Sequence, residues 1–214
     1  MAKAIEQMEI WAGRFGKEYT DRNPLSFDEM DALYLQNFGI TRSSLNEEFL
    51  GGLDCSIRIL EVGANVGAQL QGLQKLGFTN LYGIELQAYA VELSKARTRH
   101  INLIQGTTLD IPYKSGFFDL VFTSGLLIHI SPDDIACALD EIYRCSKLYI
   151  WGWEYYADSY INIPYRGRDN LLWKANFARL YFDRFPDLEL VKQKHVKYLN
   201  NDNVDSMFLL RKRG

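Results

Sequence analysis

Glutamate, glycine and asparagine residues at alternate positions form a group that could bind a ligand. Glu61, Gly63, Asn65 and Gly67 stand two residues apart. The apolar residues around Glu61 predict a buried parallel strand, and leucines at helical spacing predict a helix that ends at Gly77. Glycine has no side chain and a helix start offers free N–H groups, so the backbone of this strand, turn and helix can approach a ligand closely. The pattern therefore indicates a site for a nucleotide-like ligand.

The spacing of these glycines excludes the usual dinucleotide fingerprint. The pattern G-x-G-x-x-G, counted from Gly63, needs glycine where this chain has Asn65 and Ala68. The turn instead reads E-x-G-x-N-x-G, and it resembles the class I S-adenosylmethionine-dependent methyltransferases. The resemblance implies that Glu61 helps to hold the methionine part of the cofactor and that the glycines lie under it. An ordinary strand–helix turn is the alternative interpretation.

Other residues of the predicted cofactor site lie on both sides of this turn. Glu85 ends a second predicted strand, where a carboxylate can accept hydrogen bonds from both hydroxyls of a ribose. Many methyltransferases have Gly-Asp-Ala in the loop that binds the adenine amino group; here the sequence is Gly106-Thr107-Thr108, and a threonine hydroxyl can accept the same bond. The predicted cofactor is S-adenosylmethionine, and the residues predicted to bind it are Tyr19, Arg22, Asn23, Glu61, Gly63, Asn65, Gly67, Glu85, Leu86, Thr107, Thr108 and Thr123.

The composition is that of a globular chain and argues against several classes of partner. Its 214 residues fit one large domain, and 47% hydrophobic residues are enough for a full core. Twenty-four basic and twenty-seven acidic side chains give a formal charge of −3 without a basic tract, which predicts no nucleic acid partner. We find no signal peptide and no apolar run of membrane length, so the sequence predicts a cytoplasmic protein without a membrane partner.

The cysteines predict neither a disulfide framework nor a metal site. Cys55, Cys137 and Cys145 are odd in number and lack the spacing of metal ligands. We therefore expect reduced thiols in the core and no bound metal.

Residues 1–55 are predicted to form three helices that cover the sheet as a cap. Ser26 with Glu29 and Ser44 with Glu47 have the spacing of capping boxes. Three helices of this size cannot form a core of their own, so they should pack on the rest of the chain.

The segment Trp11–Asn23 lies between the first two predicted helices and is rich in aromatic and charged residues. We expect Tyr19, Arg22 and Asn23 to close over the cofactor, with Arg22 a candidate partner for its carboxylate. A surface loop held by Trp11 and other aromatic residues is the alternative. This segment, the methyltransferase motif and the later E-Y-Y and Y-R-G together resemble the bacterial pseudaminic acid biosynthesis-associated methylases over nearly the whole chain.

The alternation of strands and helices predicts an α/β fold with a Rossmann-like, doubly wound sheet of seven strands. The sheet should be mostly parallel, with the last strand antiparallel at one edge. We predict a single domain over residues 1–214. The helical cap would cover 1–55 and the cofactor-binding core 56–214, with a substrate insert at 152–173.

Residues after the fourth and fifth predicted strands are the candidates for catalysis, because ligands of open α/β sheets bind beyond the carboxyl ends of the strands. His129 could remove a proton from the attacking group, or it could be a structural histidine bonded to nearby backbone. Glu154 could have the same catalytic role, or it could form a surface ion pair.

The insert at 152–173 combines tyrosines and arginines that a plain crossover would not need. Tyr155 and Tyr156 offer flat surfaces with a hydroxyl, which suits polar ring-shaped substrates, and Arg166 and Arg168 could bind a carboxylate or phosphate. An aromatic plug at the edge of the sheet and surface ion pairs are the alternatives.

The sequence thus predicts a methyltransferase that acts on a small polar, anionic acceptor. The family resemblance implies a sugar-related acceptor of the nonulosonic or pseudaminic acid pathway. Methylation of another small natural product on oxygen or nitrogen is one alternative. A pathway protein that binds S-adenosylmethionine without catalysis is another, and a turnover assay would distinguish it. The oligomeric state is not predicted.

Overall fold

The computed structural model describes residues 2–23 and 26–213, and it describes only the backbone of residues 2–6. Pro24, which the sequence predicts to hold Asn23 in an extended conformation, lies outside the described residues, but Asn23 itself is extended, with φ −89° and ψ 161°. The chain divides into two compact units, Met1–Thr107 and Thr108–Gly214. The single domain over residues 1–214 stays a prediction.

The first unit begins with four helices rather than the three predicted. Gly13 interrupts the first helix, so most of the segment predicted to lie between two helices is itself helical. The predicted capping box of Ser26 and Glu29 is present, and the helix that it starts ends at Gly39 with φ 71°. The four helices are α1 Ala2–Ala12, α2 Arg14–Arg22, α3 Phe27–Phe38 and α4 Arg42–Leu50.

The capping box predicted at Ser44 is wrong by three residues. Thr41 caps α4, because its side chain accepts a hydrogen bond from the Ser44 N–H at 3.1 Å. Asp31 binds the backbone N–H of Ser43 at 2.8 Å and also its hydroxyl, so this contact from α3 holds the first turn of α4.

The remainder of the first unit alternates between strands and helices. Its elements are β1 Arg58–Val62, α5 Ala68–Lys75, β2 Asn80–Glu85, α6 Ala88–Arg97 and β3 Ile101–Gln105. The three strands are parallel, with Glu61 opposite Gly83 and Glu85 opposite Gln105. Ile59, Leu60 and Val62 are fully buried, as expected of a strand covered on both faces.

The second unit contains the remaining strands and two further helices. Its elements are β4 Phe118–Ser124, a 3₁₀ turn Leu127–His129, α7 Ile135–Cys145, β5 Ser146–Tyr155, β6 Ile161–Asn162, β7 Trp173–Lys174, α8 Phe177–Arg184, β8 Leu188–Lys197 and β9 Val204–Lys212. Ser131 followed by proline and two acids is the sequence pattern of a helix start, but α7 begins at Ile135, because Ser131 and Asp134 form a turn that precedes it. The fifth strand extends to Tyr155, so Glu154 lies within the strand rather than after it.

The predicted seven-stranded sheet of a Rossmann-like fold is confirmed, in the order β3-β2-β1-β4-β5-β9-β8. The last strand, β9, is antiparallel as predicted, since it pairs antiparallel with both β5 and β8. Its predicted place at the edge is wrong: β9 inserts between β5 and β8, and β8 takes the edge. The burial of Met207, Phe208 and Leu210 in β9 agrees with an inner strand.

Two of the three cysteines are not core residues. Cys145 is buried, whereas Cys55 and Cys137 are exposed, and all three are free thiols.

Candidate cofactor and acceptor sites

The glycine turn after β1 has the backbone shape that the sequence predicts. Gly63 and Gly67 have φ of 77° and 80°, and Asn65 has φ of 46°, a region that asparagine tolerates better than most residues. Gly67 caps the start of α5. The Asn65 side-chain oxygen is buried and has no hydrogen-bond partner within the described residues. A buried oxygen without a donor lowers the stability of the fold unless a ligand or a water molecule donates a hydrogen bond to it. The turn therefore has the features of a binding site.

Glu85 at the end of β2 is held by the same turn. Its carboxylate accepts hydrogen bonds from the backbone N–H groups of Asn65 and Gln87, both at 2.8 Å. Burial raises the pKa of Glu85, and these backbone N–H groups lower it. Carboxylate oxygens can accept further hydrogen bonds, so the arrangement fixes Glu85 in place and leaves it able to bind ribose hydroxyls.

Glu61 is buried near the end of β1 and is 2% exposed. Within the part of the chain that the structure describes, its Oε2 atom has no hydrogen-bond partner. Burial raises the pKa of Glu61 well above its usual value, the positive charge of Arg42 lowers it, and the charge of Glu85 raises it. This carboxylate is suited to a ligand that brings a cationic or N–H group.

Arg42 is a residue of this region that the sequence analysis missed. Its side chain is fully buried, and its guanidinium donates to Asn46 Oδ1 and to the hydroxyl of Tyr34, each at 2.9 Å. Arg42 occupies the buried face of α4 together with Leu45 and Phe49, three and seven residues later. A charged residue on an apolar helical face was the available signal, because such a side chain needs a partner inside the protein.

The N-terminal segment is hydrogen-bonded to Gln87, the residue that precedes α6. The side-chain Nε2 of Gln87 donates to the carbonyl oxygens of Ala12 and Gly13 at 2.8 Å, at the break between α1 and α2. Gly16 is needed here, because a Cβ atom at this position would lie 1.8 Å from the Trp11 carbonyl oxygen. Gln87 therefore links this segment to Glu85, whose carboxylate accepts the Gln87 backbone N–H, and the sequence did not reveal this link.

The three residues expected to close over the cofactor, Tyr19, Arg22 and Asn23, lie at the end of this segment. Tyr19 packs edge-on against Trp11 at 5.3 Å between ring centroids, and Asn23 donates from its side chain to the Tyr19 carbonyl at 2.7 Å. Arg22 is exposed in the last turn of α2. Asp21 accepts a hydrogen bond from Tyr89 on α6 at 2.8 Å, so α2 is docked on α6. Cofactor binding by Tyr19, Arg22 and Asn23 stays a prediction.

Four other predicted cofactor residues have different surroundings. Leu86 accepts a hydrogen bond from Gln105 at 3.1 Å through its carbonyl, and Thr107 is partly buried. Thr108, in the second unit, is 8% exposed, and its hydroxyl has no partner among the described residues. The Thr123 hydroxyl is a partner of Glu154. Their cofactor roles also stay predictions.

Glu154 lies in β5 and is 1% exposed, so the surface ion pair proposed for it is wrong. Its two carboxylate oxygens accept the backbone N–H groups of Leu126 at 3.3 Å and Ile128 at 3.4 Å. Burial raises the pKa of Glu154 to about 7, against the opposing effect of these donors and of Thr123. Glu154 thereby fixes the 3₁₀ turn that ends at His129.

His129 is the last residue of the same 3₁₀ turn and is 8% exposed. Its Nδ1 atom lies 2.8 Å from the carbonyl oxygen of Leu171. A carbonyl only accepts, so Nδ1 carries the proton and Nε2 is the basic nitrogen of the neutral ring. Burial lowers the pKa of His129 to about 4, so the ring is neutral at pH 7. The contact with Leu171 is of the kind expected for a structural histidine, and it also fixes the tautomer that a general base requires.

The insert forms a small hairpin rather than a long loop. β6 and β7 pair antiparallel, and Tyr165 and Arg168 form a bridge around a turn in which Arg166 and Gly167 have φ of 50° and 75°. Arg166 and Arg168 are exposed at the tip.

The predicted substrate tyrosines are placed beside this hairpin, at the end of β5. Tyr156 donates to Asp158 at 2.5 Å and lies 4.2 Å from the His195 ring. Tyr155 packs edge-on against Tyr198 at 6.4 Å between ring centroids.

Comparison with known proteins identifies the fold. Residues 60–148 match the family described as "Methyltransferase domain" (Methyltransf_11). The PH0226 protein from Pyrococcus horikoshii OT3 is 14% identical, with a TM-score of 0.68 over 92% of this chain and 99% of that protein. The chain has a methyltransferase fold. The family match covers the glycine turn, Glu85 and the turn at His129, so this stretch resembles a methyltransferase domain.

Two further relatives are named methyltransferases. The 1,6-didemethyltoxoflavin-N1-methyltransferase of Burkholderia thailandensis, solved with S-adenosylhomocysteine bound, is 13% identical, with a TM-score of 0.66 over 100% of this chain and 89% of that protein. Cycloartenol-C-24-methyltransferase 1 of Oryza sativa subsp. japonica is 22% identical over 184 residues, which cover 69% of this chain and 53% of the relative. The chain therefore spans about half the length of this curated relative.

Among the described residues, no helix is long and apolar enough to cross a membrane. No group of three or more His, Cys, Asp or Glu side chains among the same residues could hold a metal ion.

Proposed function

We propose that this chain transfers a methyl group from S-adenosylmethionine to a small, polar, anionic and sugar-related acceptor, as in the nonulosonic or pseudaminic acid pathway. The observation that carries the proposal is the turn after β1. There, two positive-φ glycines accompany two buried oxygens, Glu61 Oε2 and Asn65 Oδ1, which lack partners among the described residues.

S-adenosylmethionine fits the donor set of this turn. When bound, it supplies an electrophilic methyl group on a sulfonium. Glu61 would accept hydrogen bonds from the ammonium of its methionine part, and Glu85 from the ribose hydroxyls. The protein then mainly has to align the acceptor and exclude water.

We assign residues 11–23 the role of a cover over the cofactor. The link from Gln87 to Ala12 and Gly13 supports this assignment, because the same residue donates its backbone N–H to Glu85. Arg42, buried and electrostatically coupled to Glu61, is a second candidate beside Arg22 for the cofactor's carboxylate.

In the second unit, His129 is our candidate for the base that takes a proton from the acceptor. Its Nε2 atom is basic because Nδ1 donates to Leu171, and Glu154 holds the turn on which it lies. Tyr155 and Tyr156 would contact the acceptor. Arg166 and Arg168 would bind its anionic group, which a guanidinium matches in charge and shape.

The proposed function is tested in two stages. Calorimetry should first detect S-adenosylmethionine binding, and weaker binding by Glu61→Gln. Turnover with methyl-labelled cofactor on N-acetylneuraminic acid and on its neutral methyl ester should then favour the acid. Arg166→Lys and Arg168→Lys should lose that preference, because lysine cannot form the two-pronged contact. Binding without turnover on any acceptor would favour the non-catalytic alternative, and equal wild-type activity on acid and ester would reject the arginine clamp.

A further inference from the structure

Asp205 is a buried acid in β9, a strand in the interior of the sheet. It is 1% exposed and lies opposite Tyr155 of β5 and Val196 of β8. Alternate residues of a strand share a face, so Asp205 continues the face of Met207 and Leu209, which are 0% and 3% exposed. An apolar side chain would suit this place in an inner strand. A carboxylate there needs another explanation.

Among the described residues, the two oxygens of Asp205 differ in their hydrogen bonds. Oδ2 accepts a hydrogen bond from the Tyr198 hydroxyl at 3.4 Å, and the Trp153 side chain is a second donor to this carboxyl group. Oδ1 is buried and has no hydrogen-bond partner in the described part of the chain. The positive charge of Lys174 lowers the pKa of Asp205, but its ammonium donates to Asn203. A buried oxygen without a donor destabilises the protein, and a ligand that brings a donor removes the deficit.

Two tyrosines lie beside Asp205, and one of them is bonded to its Oδ2 atom. Tyr155 and Tyr198 are both partly exposed, their rings are nearly perpendicular, and their hydroxyl groups are hydrogen-bonded to each other. Tyr155 ends β5, and β9 begins beside it, at the carboxyl end of β5 where open α/β sheets bind ligands. A polar chain of Tyr155, Tyr198 and Asp205 therefore lies at the position expected for an acceptor.

We propose that Asp205 binds the methyl acceptor, with Oδ1 accepting a hydrogen bond from a hydroxyl or amino group and Tyr155 and Tyr198 lying along the acceptor. This inference rests on the proposed function and narrows its substrate class. The acceptor carries a hydroxyl or amine donor in addition to any anionic group. The competing explanation is a purely structural acid that holds Tyr198 and Trp153.

The first test is the stability of the whole chain, which needs no acceptor. Asp205→Asn should raise the melting temperature at pH 8, because it removes a buried charge with an incomplete set of donors. Asp187→Asn is the matched control, since Asp187 also accepts a tyrosine hydroxyl, that of Tyr143 at 2.7 Å. The control should not raise it. A loss of melting temperature in Asp205→Asn as large as in Asp187→Asn would make Asp205 structural and overturn the proposal.

The second test is methyl transfer to N-acetylneuraminic acid, UDP-N-acetylglucosamine and glucosamine 6-phosphate, with product detected by mass spectrometry. On any probe that is methylated, Asp205→Asn should lower kcat/KM about tenfold or more, the loss expected for a hydrogen bond to a charged group, and mainly through KM. An unchanged kcat/KM would overturn the proposal. If no probe is methylated, the melting temperatures decide alone. Calorimetry with S-adenosylmethionine separates the two failures, since a chain that does not bind the cofactor loses the proposed function whatever Asp205 does.

Discussion

Each unit buries a glutamate one residue before the end of a parallel strand, and the two carboxylates are held in opposite ways. Glu61 in β1 keeps Oε2 without a partner among the described residues, whereas Glu154 in β5 accepts the backbone N–H groups of Leu126 and Ile128. The backbone donors of Glu154 fix a loop, whereas the unused oxygen of Glu61 can accept a hydrogen bond from a ligand. Burial alone therefore does not distinguish these two acids; their hydrogen-bond partners do.

The largest expected effect comes from removing the charge that balances Glu61. Arg42→Met should lower the free energy of unfolding by about 3–5 kcal/mol, because it leaves a buried carboxylate without its cation. Urea denaturation measures this loss. Arg14→Met is the control, since Arg14 pairs with Glu18 on the surface and is 92% exposed, and it should cost less than about 1 kcal/mol. Equal losses in the two variants would show that the buried Arg42 stabilises the fold no more than a surface arginine does.

The raised pKa of Glu154 should make the free energy of unfolding depend on pH. The folded pKa of about 7 lies above the ordinary value of 4.5, so the folded chain holds this proton more tightly than the unfolded chain. The resulting stability is fully present below pH 4.5, falls by roughly 1 kcal/mol per pH unit as pH rises towards 7, and is absent above it. Urea unfolding at pH 5 and pH 8 should show a larger fall in wild type than in Glu154→Gln. Parallel profiles would contradict the raised pKa.

Substitutions of Glu61 and Glu154 should differ in their effect on the affinity for the cofactor. Glu61→Gln should weaken S-adenosylmethionine binding by about 1.5–3 kcal/mol, the range for a hydrogen bond to a charged group, and Glu154→Gln should leave it unchanged. Calorimetry on both folded variants measures the difference. An affinity loss in Glu154→Gln as large as in Glu61→Gln would reject the distinction drawn from their partners.

Local patterns predicted much of this molecule. The turn from Glu61 to Gly67 needs positive φ at two glycines, and the spacing of those glycines is visible in the sequence. The capping box at Ser26 was likewise predicted from neighbouring residues. Each of these features depends on contacts a few residues apart.

Features that depend on distant contacts were not predictable in the same way. The inner position of β9 depends on which strands it pairs with, and alternation along the chain does not encode that order. Thr41 and Ser44 are equally good caps by type, and the contact of Asp31 with Ser43 accompanies the choice of Thr41. Glu154 was placed after its strand, so its burial and its backbone partners could not be foreseen.

The smallest expected effect tests whether residues 11–23 take part in binding the cofactor. Gln87→Ala removes the side-chain bonds to Ala12 and Gly13 but keeps the backbone N–H that Glu85 accepts. It should weaken S-adenosylmethionine binding by about 0.5–1.5 kcal/mol, the net value of such hydrogen bonds, and speed hydrogen exchange in residues 11–23. Gln71→Ala is the control, because Gln71 donates to the Arg97 carbonyl at 3.1 Å and should change neither quantity. Faster exchange with unchanged affinity would mean that Gln87 holds the segment for structural reasons, and that the segment does not cover the cofactor.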